Sequence, residues 1–193
     1  MSIQQNTIHI RRLSHLERPK IARHFLALAA EDRRLRFGAG QSDQAVRDYV
    51  NGIDFERDAL FGTLNDQLRF IGIAHLARSD GYAELGVSVS ARNRGRGIGG
   101  ALLRRAHTHA RNWGVRTIFM QCLTENGAMM HLAHKEGMDV VAEAGEADAW
   151  LRLPPADASS YVSAALEQCI AHVDHAAKFQ RAGLRRLVHS LAA

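Results

Sequence analysis

Apolar and polar positions alternate with period two over residues 7–13, TIHIRRL, which predicts a short opening strand. At Ser14 the period changes. Ser14 and Glu17 have the spacing of a capping box, Pro19 falls in the first turns where its missing N–H is tolerated, and the helical pattern runs to Phe37 before Gly38 and Gly40. Ser42 or Asp43 caps a second helix, with Ala45, Val46, Tyr49, Val50 and Ile53 at helical spacing. Three strand-like runs follow, DALFGTLND, QLRFIGIAHLARS and YAELGVSVS, parted by the turn formers Asn65-Asp66 and Asp80-Gly81. They read as an antiparallel meander.

Helical spacing returns in ALLRRAHTHARNWG, where Leu102, Leu103, Ala106, Ala110 and Trp113 share a face and Gly114 closes the helix. The β run RTIFMQCL is followed by a helix with Asn126 near its start and Gly137 at its end, then by two short strands in DVVAEAGEADAWLRL. Beyond Pro154-Pro155, the positions Val162, Leu166, Cys169, Ile170, Val173 and Ala177 mark a long amphipathic helix, with a break expected near Gly183 before LRRLVHSLAA. This stripe must dock on the domain or on a second subunit. The pattern predicts an α+β domain over residues 1–153, with a mixed, mostly antiparallel sheet flanked by helices, and a helical extension over 154–193.

Composition narrows the class. With 46% hydrophobic and 23% charged residues the chain is globular, and no stretch is apolar enough for a membrane span. The start MSIQQNTIHIRRL lacks the layout of a signal peptide, so the expectation is a cytoplasmic protein. Cys122 and Cys169 stand far apart without ligand spacing, which predicts reduced, mostly buried thiols and no metal site. The net charge of +5 admits an anionic cofactor or an arginine-rich surface, but aromatics are only 6% and do not interleave with the basic residues, so no nucleic-acid partner is expected.

Chemistry concentrates in Ala91–Ala101, ARNRGRGIGGA, which holds three arginines and four glycines between a strand and a helix. Such a turn presents backbone N–H groups at the positive end of a helix dipole and makes an anion site. The glycines let the main chain approach a phosphate, and Arg92, Arg94 and Arg96 add attraction. The P-loop signature GxxxxGK[ST] is absent. Gly95, Gly97 and Gly100 match GxGxxG, but a dinucleotide loop follows the first strand of a βαβ unit and is answered by an acid on the next strand, which FMQCL lacks.

Read as Arg94-x-x-Gly97-x-Gly99 after Val87-Ser88-Val89, the stretch resembles the acyl-CoA-binding loop of the GNAT acetyltransferases. The segment NGAMMHLAHKEGM, from Asn126 to Met138, is similar to a second motif of that family, and the likeness spans about residues 7–153. The resemblance implies that acetyl-CoA is the cofactor. The main chain of Val87, Ser88 and Val89 would pair with the pantetheine arm, and Gly95, Arg96, Gly97, Ile98, Gly99 and Gly100, with Arg94, would hold the pyrophosphate. Asn126 would contact the cofactor arm; its plainer reading is an N-cap, and the two are compatible.

Acetyl transfer needs an unprotonated amine. For a lysine-like acceptor with pKa about 10.4, deprotonation near pH 7 costs about 4–5 kcal/mol, so a general base is useful. The resemblance implies Glu84, because some GNAT enzymes carry a catalytic glutamate on this strand; its plainer reading is an exposed strand acid. Other members place a base on the following strand, where this chain has Gln121. Glu125 and His131 are second choices, His75 reads as a structural histidine and Cys122 as a buried thiol. The departure from the family is Ala133, where many members have the tyrosine that protonates the leaving thiolate.

The segment ALAAEDRRLRFGAGQSDQAVRDYV stands where GNAT enzymes build the acceptor side of the cleft and resembles an S-x-E-x-x-x-x-RF segment of bacterial protein-lysine acetyltransferases, which leaves a protein lysine and a small amine as alternative acceptors. A homodimer through the C-terminal helix is compatible with the stripe. A non-catalytic CoA-binding or sensory module, and a dinucleotide-binding protein, stay open as alternatives.

Overall fold

A computed structural model describes residues 8–191; Thr7, at the start of the expected first strand, and Ala192 and Ala193 lie outside the described residues. The first strand, β1, is only Arg11–Leu13. Ser14 N–H donates to Glu17 Oε2 at 3.0 Å, the backward arm of the expected capping box, and a 3₁₀ turn over His15–Glu17 leads into α1, Arg18–Leu26, with Pro19 in its first turn.

The single helix expected from Ser14 to Phe37 is in fact interrupted. α1 ends at Leu26 and α2 begins at Ala30, ending at Phe37 with Gly38 in the left-handed region (φ 76°). Between them Leu28 turns into the core, and Arg33 compensates for the lost helix bonds by donating to the Leu26 carbonyl (3.0 Å), the Gln41 carbonyl (3.1 Å) and Asp43 (2.7 Å). Local propensity favours an unbroken helix through LALAAED; burial of Leu28 overrides it. The third helix, α3 (Asp43–Gly52), is capped by Ser42, whose Oγ accepts from Ala45 N–H at 3.1 Å.

Strands β2 (Ala59–Leu64), β3 (Phe70–Arg78) and β4 (Ala83–Val89) form the expected antiparallel meander. Helix α4 spans Ile98–Asn112, β5 Thr117–Leu123, α5 Gly127–Lys135, β6 Asp139–Glu143, β7 Glu146–Arg152 and α6 Ala158–Leu191. The sheet order is β1-β2-β3-β4-β5-β7-β6, antiparallel except for β4 and β5. Directly opposed residues of an antiparallel pair point to the same face. One face, with Phe61, Leu76, Leu85 and Val87, packs on Leu102, Leu103 and Ala106 of α4; the other, with Leu60 and Ile73, packs on Ile21, Phe25 and Val46 of α1 and α3.

The last helix runs unbroken through Gly183, where a break was expected. It docks on α4 and the β1–β2 edge through Ser160, Gln168, Ala171 and Lys178: Gln168 Oε1 accepts from Arg12 N–H (3.2 Å) and Arg105 (3.3 Å), and Lys178 reaches the Leu64 carbonyl (3.0 Å). The predicted apolar stripe faces away, leaving Val162, Leu166, Ile170 and Val173 exposed. Cys169 lies exposed beside it, contrary to the expected burial of both thiols, because the docking face is the small and polar one.

Candidate active site

The parallel pair β4–β5 is joined only at Ala83↔Ile118 and Glu84↔Phe119, although β4 continues to Val89 and β5 to Leu123. The strands therefore diverge, and the β5-facing main-chain groups of Leu85–Val89 have no strand partner among the described residues. A chain of ligand amides can complete such an edge. At the open end the β4–α4 loop makes a 3₁₀ turn over Ala91–Asn93, then passes through Gly95 and Gly97 at φ 72° and 79°, a region that disfavours side chains. Gly97 is the N-cap of α4 and offers no side-chain cap, so the first helical N–H groups remain open.

A cavity of about 520 Å³ lies along this divergence, and Val87, Ser88, Val89, Arg94, the loop glycines and Asn126 all line it. The structure thus brings together the cofactor-binding residues named from sequence, with Arg96 as the exception: it is exposed and does not line the cavity. Arg94 is engaged with Asp32 of α2 (2.7 Å) and the Val89 carbonyl (3.2 Å). Asn126 does cap α5, accepting from Met129 N–H at 3.2 Å, while its Nδ2 donates to the Leu35 carbonyl of α2 at 3.3 Å. Ser88 turns its hydroxyl to the α1 side, where His24 Nε2 is 2.8 Å away and His24 Nδ1 meets the Phe70 carbonyl at 3.0 Å. Burial, with a smaller repulsion from Arg36, lowers His24 to about 4, so it is neutral and accepts the Ser88 hydroxyl proton.

A second cavity of about 240 Å³ adjoins the first, sharing Leu35, Arg36, Val87 and Met129. Glu84, exposed on β4, lines it together with Gln121 and Glu146, which bond each other at 3.2 Å. The alternative acids and bases fare differently. Glu125 is tied to Arg34 at 2.7 Å, and His131 lines the first cavity. Cys122 reaches the second cavity, but burial and the Asp148 charge push its thiol up, away from the nucleophilic thiolate. Ala133 is buried in the core.

Sequence reasoning missed the polar group behind the second cavity. Tyr49 Oη lies 2.7 Å from His75 Nδ1, His75 Nε2 lies 2.9 Å from Asp58, and Arg36 donates to Tyr49 Oη at 3.1 Å. These residues come from α2, α3, the α3–β2 connection and β3, and no local spacing links them. Burial lowers the His75 pKa against the opposing pull of Asp58.

The profile of the acetyltransferase (GNAT) family matches residues 25–138. A comparison with curated proteins found no significant match. Among solved structures, the fold is similar to the GNAT domain of Streptomyces lividans PAT, at TM-score 0.65 and 20% identity over 75% of this chain and 89% of that one. It is also similar to a GNAT-family acetyltransferase from Staphylococcus aureus (0.62, 12%, covering 77% and 100%). A third likeness is to yncA of Salmonella typhimurium, described as a complex with acetyl-CoA (0.60, 19%, covering 79% and 98%).

Proposed function

Since the chain belongs to the GNAT acetyltransferase family, we propose that it transfers an acetyl group from acetyl-CoA to a primary amine by direct attack, with Glu84 as general base. The observation that carries this reading is the divergence of β4 and β5 beside a glycine-rich helix start, with one cavity on each side of Val87. In it the free edge of Val87–Val89 takes the pantetheine amides, and the open N–H groups after Gly95 and Gly97 take the pyrophosphate. Arg94 leaves Asp32 for a phosphate or holds the loop in place, and exposed Arg96 adds long-range attraction. Asn126 positions the entrance of α5 against α2 at the cofactor arm.

The acceptor enters the second cavity. Among the described residues, Glu84 and Glu146 outnumber the one cation, Arg36, on its walls, a balance that suits a cationic amine, a lysine side chain or a small amine. Glu84 takes the ammonium proton and passes it to solvent, the free amine attacks the thioester carbonyl, the second nitrogen-bound proton goes to Glu84, and the C–S bond breaks with its electron pair going to sulfur. Thiol release from acetyl-CoA in the presence of an amine panel tests the reading: the wild type turns over and Glu84→Gln loses about 10²-fold or more in kcat while binding CoA normally. Equal rates for the two would remove Glu84 from the mechanism. CoA binding without turnover on any amine would favour a non-catalytic CoA-binding module, a reading that the buried Ala133 keeps in view. NADH binding without CoA binding would return the site to the dinucleotide class.

In the same reading the catalytic unit is residues 1–153, working in the cytoplasm, and residues 154–193 are an added helix that pairs two copies through Val162, Leu166, Ile170 and Val173. Among the described residues no helix is long and apolar enough to cross a membrane.

A further inference from the structure

Helix α2 carries three arginines of unequal fate. Arg33 is paired with Asp43 at 2.7 Å, and Arg34 with Glu31 and Glu125, each at 2.7 Å. Arg36 has no ion-pair partner among the described residues. Its guanidinium lies against β4 at Gly86, where a Cβ would collide with it, and is surrounded by the rings of Phe37 (5.0 Å), Phe25 (5.7 Å) and Tyr49 (5.8 Å). Its Nε is buried without a hydrogen-bond partner among the described residues. An unneutralised, half-buried cation costs stability unless something offsets it.

The residues behind it hold it in place. Asp58 accepts from His75 Nε2–H, which leaves Nδ1 as an acceptor for the Tyr49 hydroxyl, and the Tyr49 oxygen accepts from Arg36 Nη2. The order of donors is thus set from a carboxylate at one end to a guanidinium at the other. Arg36 lines both cavities, at the junction where an acyl group on one side would meet an amine on the other.

On the acyl-CoA reading above, we propose that Arg36 is a catalytic residue that holds the departing thiolate of CoA, the task left without an acid by Ala133. The amine nitrogen bonds to the thioester carbonyl carbon, the C–S bond breaks with its electron pair going to sulfur, and the amine proton goes to Glu84. The thiolate then rests against Arg36 until it takes a proton from water, and Glu84 returns its own proton to solvent. Gly86 permits the approach because any side chain there would displace the guanidinium. Tyr49, His75 and Asp58 are positioning residues that act through Arg36. The other charged or titratable side chains lining the two cavities are Glu84, Glu146, Tyr49, Cys122, Asp32, Arg94, Arg104, His131 and Lys135, with Arg104 paired to Glu136 at 2.9 Å. Asp32 is already paired with Arg94, and both glutamates would raise a thiol pKa, opposite to the effect assigned to Arg36.

The test is the pKa of CoA's own thiol when bound, read from ultraviolet thiolate absorbance against pH, in the wild type, Arg36→Gln and Gly86→Ala. In the wild type the pKa of the bound thiol is expected about 1–3 units below that of free CoA titrated in the same buffer, and in both variants it returns toward that value. The same variants lose about 10- to 100-fold in kcat with a smaller change in KM for acetyl-CoA. A bound thiol that titrates at its free value in the wild type, or identically in wild type and CoA-binding variants, overturns the assignment. Should Arg36→Gln fail to fold, the wild-type titration and Gly86→Ala decide it. Failure of the wild type to bind CoA overturns the acyl-CoA reading and this assignment with it, whereas tight binding with an unperturbed thiol overturns Arg36 alone.

Discussion

His24 links stability to β4 through one side chain, the hydroxyl of Ser88. Its folded pKa, lowered to about 4 by burial, lies below the unfolded value near 6.5, so the unfolded chain binds the extra proton between those limits. Stability is therefore complete above about pH 6.5 and lost as pH falls toward 4, by about 3 kcal/mol from this group. His109, also lowered to about 4 by burial and by Arg12 and Arg105, adds a loss of the same sign. Urea unfolding measured across that range should show stability falling with acidification, and His24→Gln should flatten the slope. A slope unchanged in His24→Gln would mean that the folded imidazole keeps its ordinary pKa, and burial would not govern its titration.

At the scale of elements, the turn from β4 into α4 depends on Gly97 holding φ 79°. Gly97→Ala should cost about 1 kcal/mol in stability and weaken CoA binding about tenfold or more, because relief of the strain tilts the open N–H groups away from the pyrophosphate. Calorimetric titration checks it; unchanged affinity would move the anion site elsewhere. This turn was readable from sequence because strand, glycines and helix are contiguous there, and the same holds for the Asn126 cap. The interruption between α1 and α2 was not, since it depends on where Leu28 finds the sheet. Nor was the Asp58–His75–Tyr49–Arg36 chain, whose members meet only when α2 and α3 lie across β3 and β4. Helical and alternating periods report which face is buried, not which polar groups on different elements come together.

For the whole molecule, α6 presents one face to the domain and another to solvent. The stripe was visible in the sequence, but its orientation was decided by Ser160, Gln168 and Ala171, which fit more closely against α4 and β1. Leu166→Glu and Val173→Glu alter exposed positions, so the monomer's stability should change by no more than about 0.5 kcal/mol. Light scattering should show a wild-type dimer becoming a monomer in this double variant; a wild-type monomer would contradict the pairing and leave the catalytic account intact. That account rests on the cleft between β4 and β5 accepting acyl-CoA. Isothermal titration of the wild-type chain with acetyl-CoA tests it most directly. One molecule bound per chain, displaced by CoA and not by NADH, is the predicted result; no binding, or displacement by NADH in preference to CoA, would contradict it.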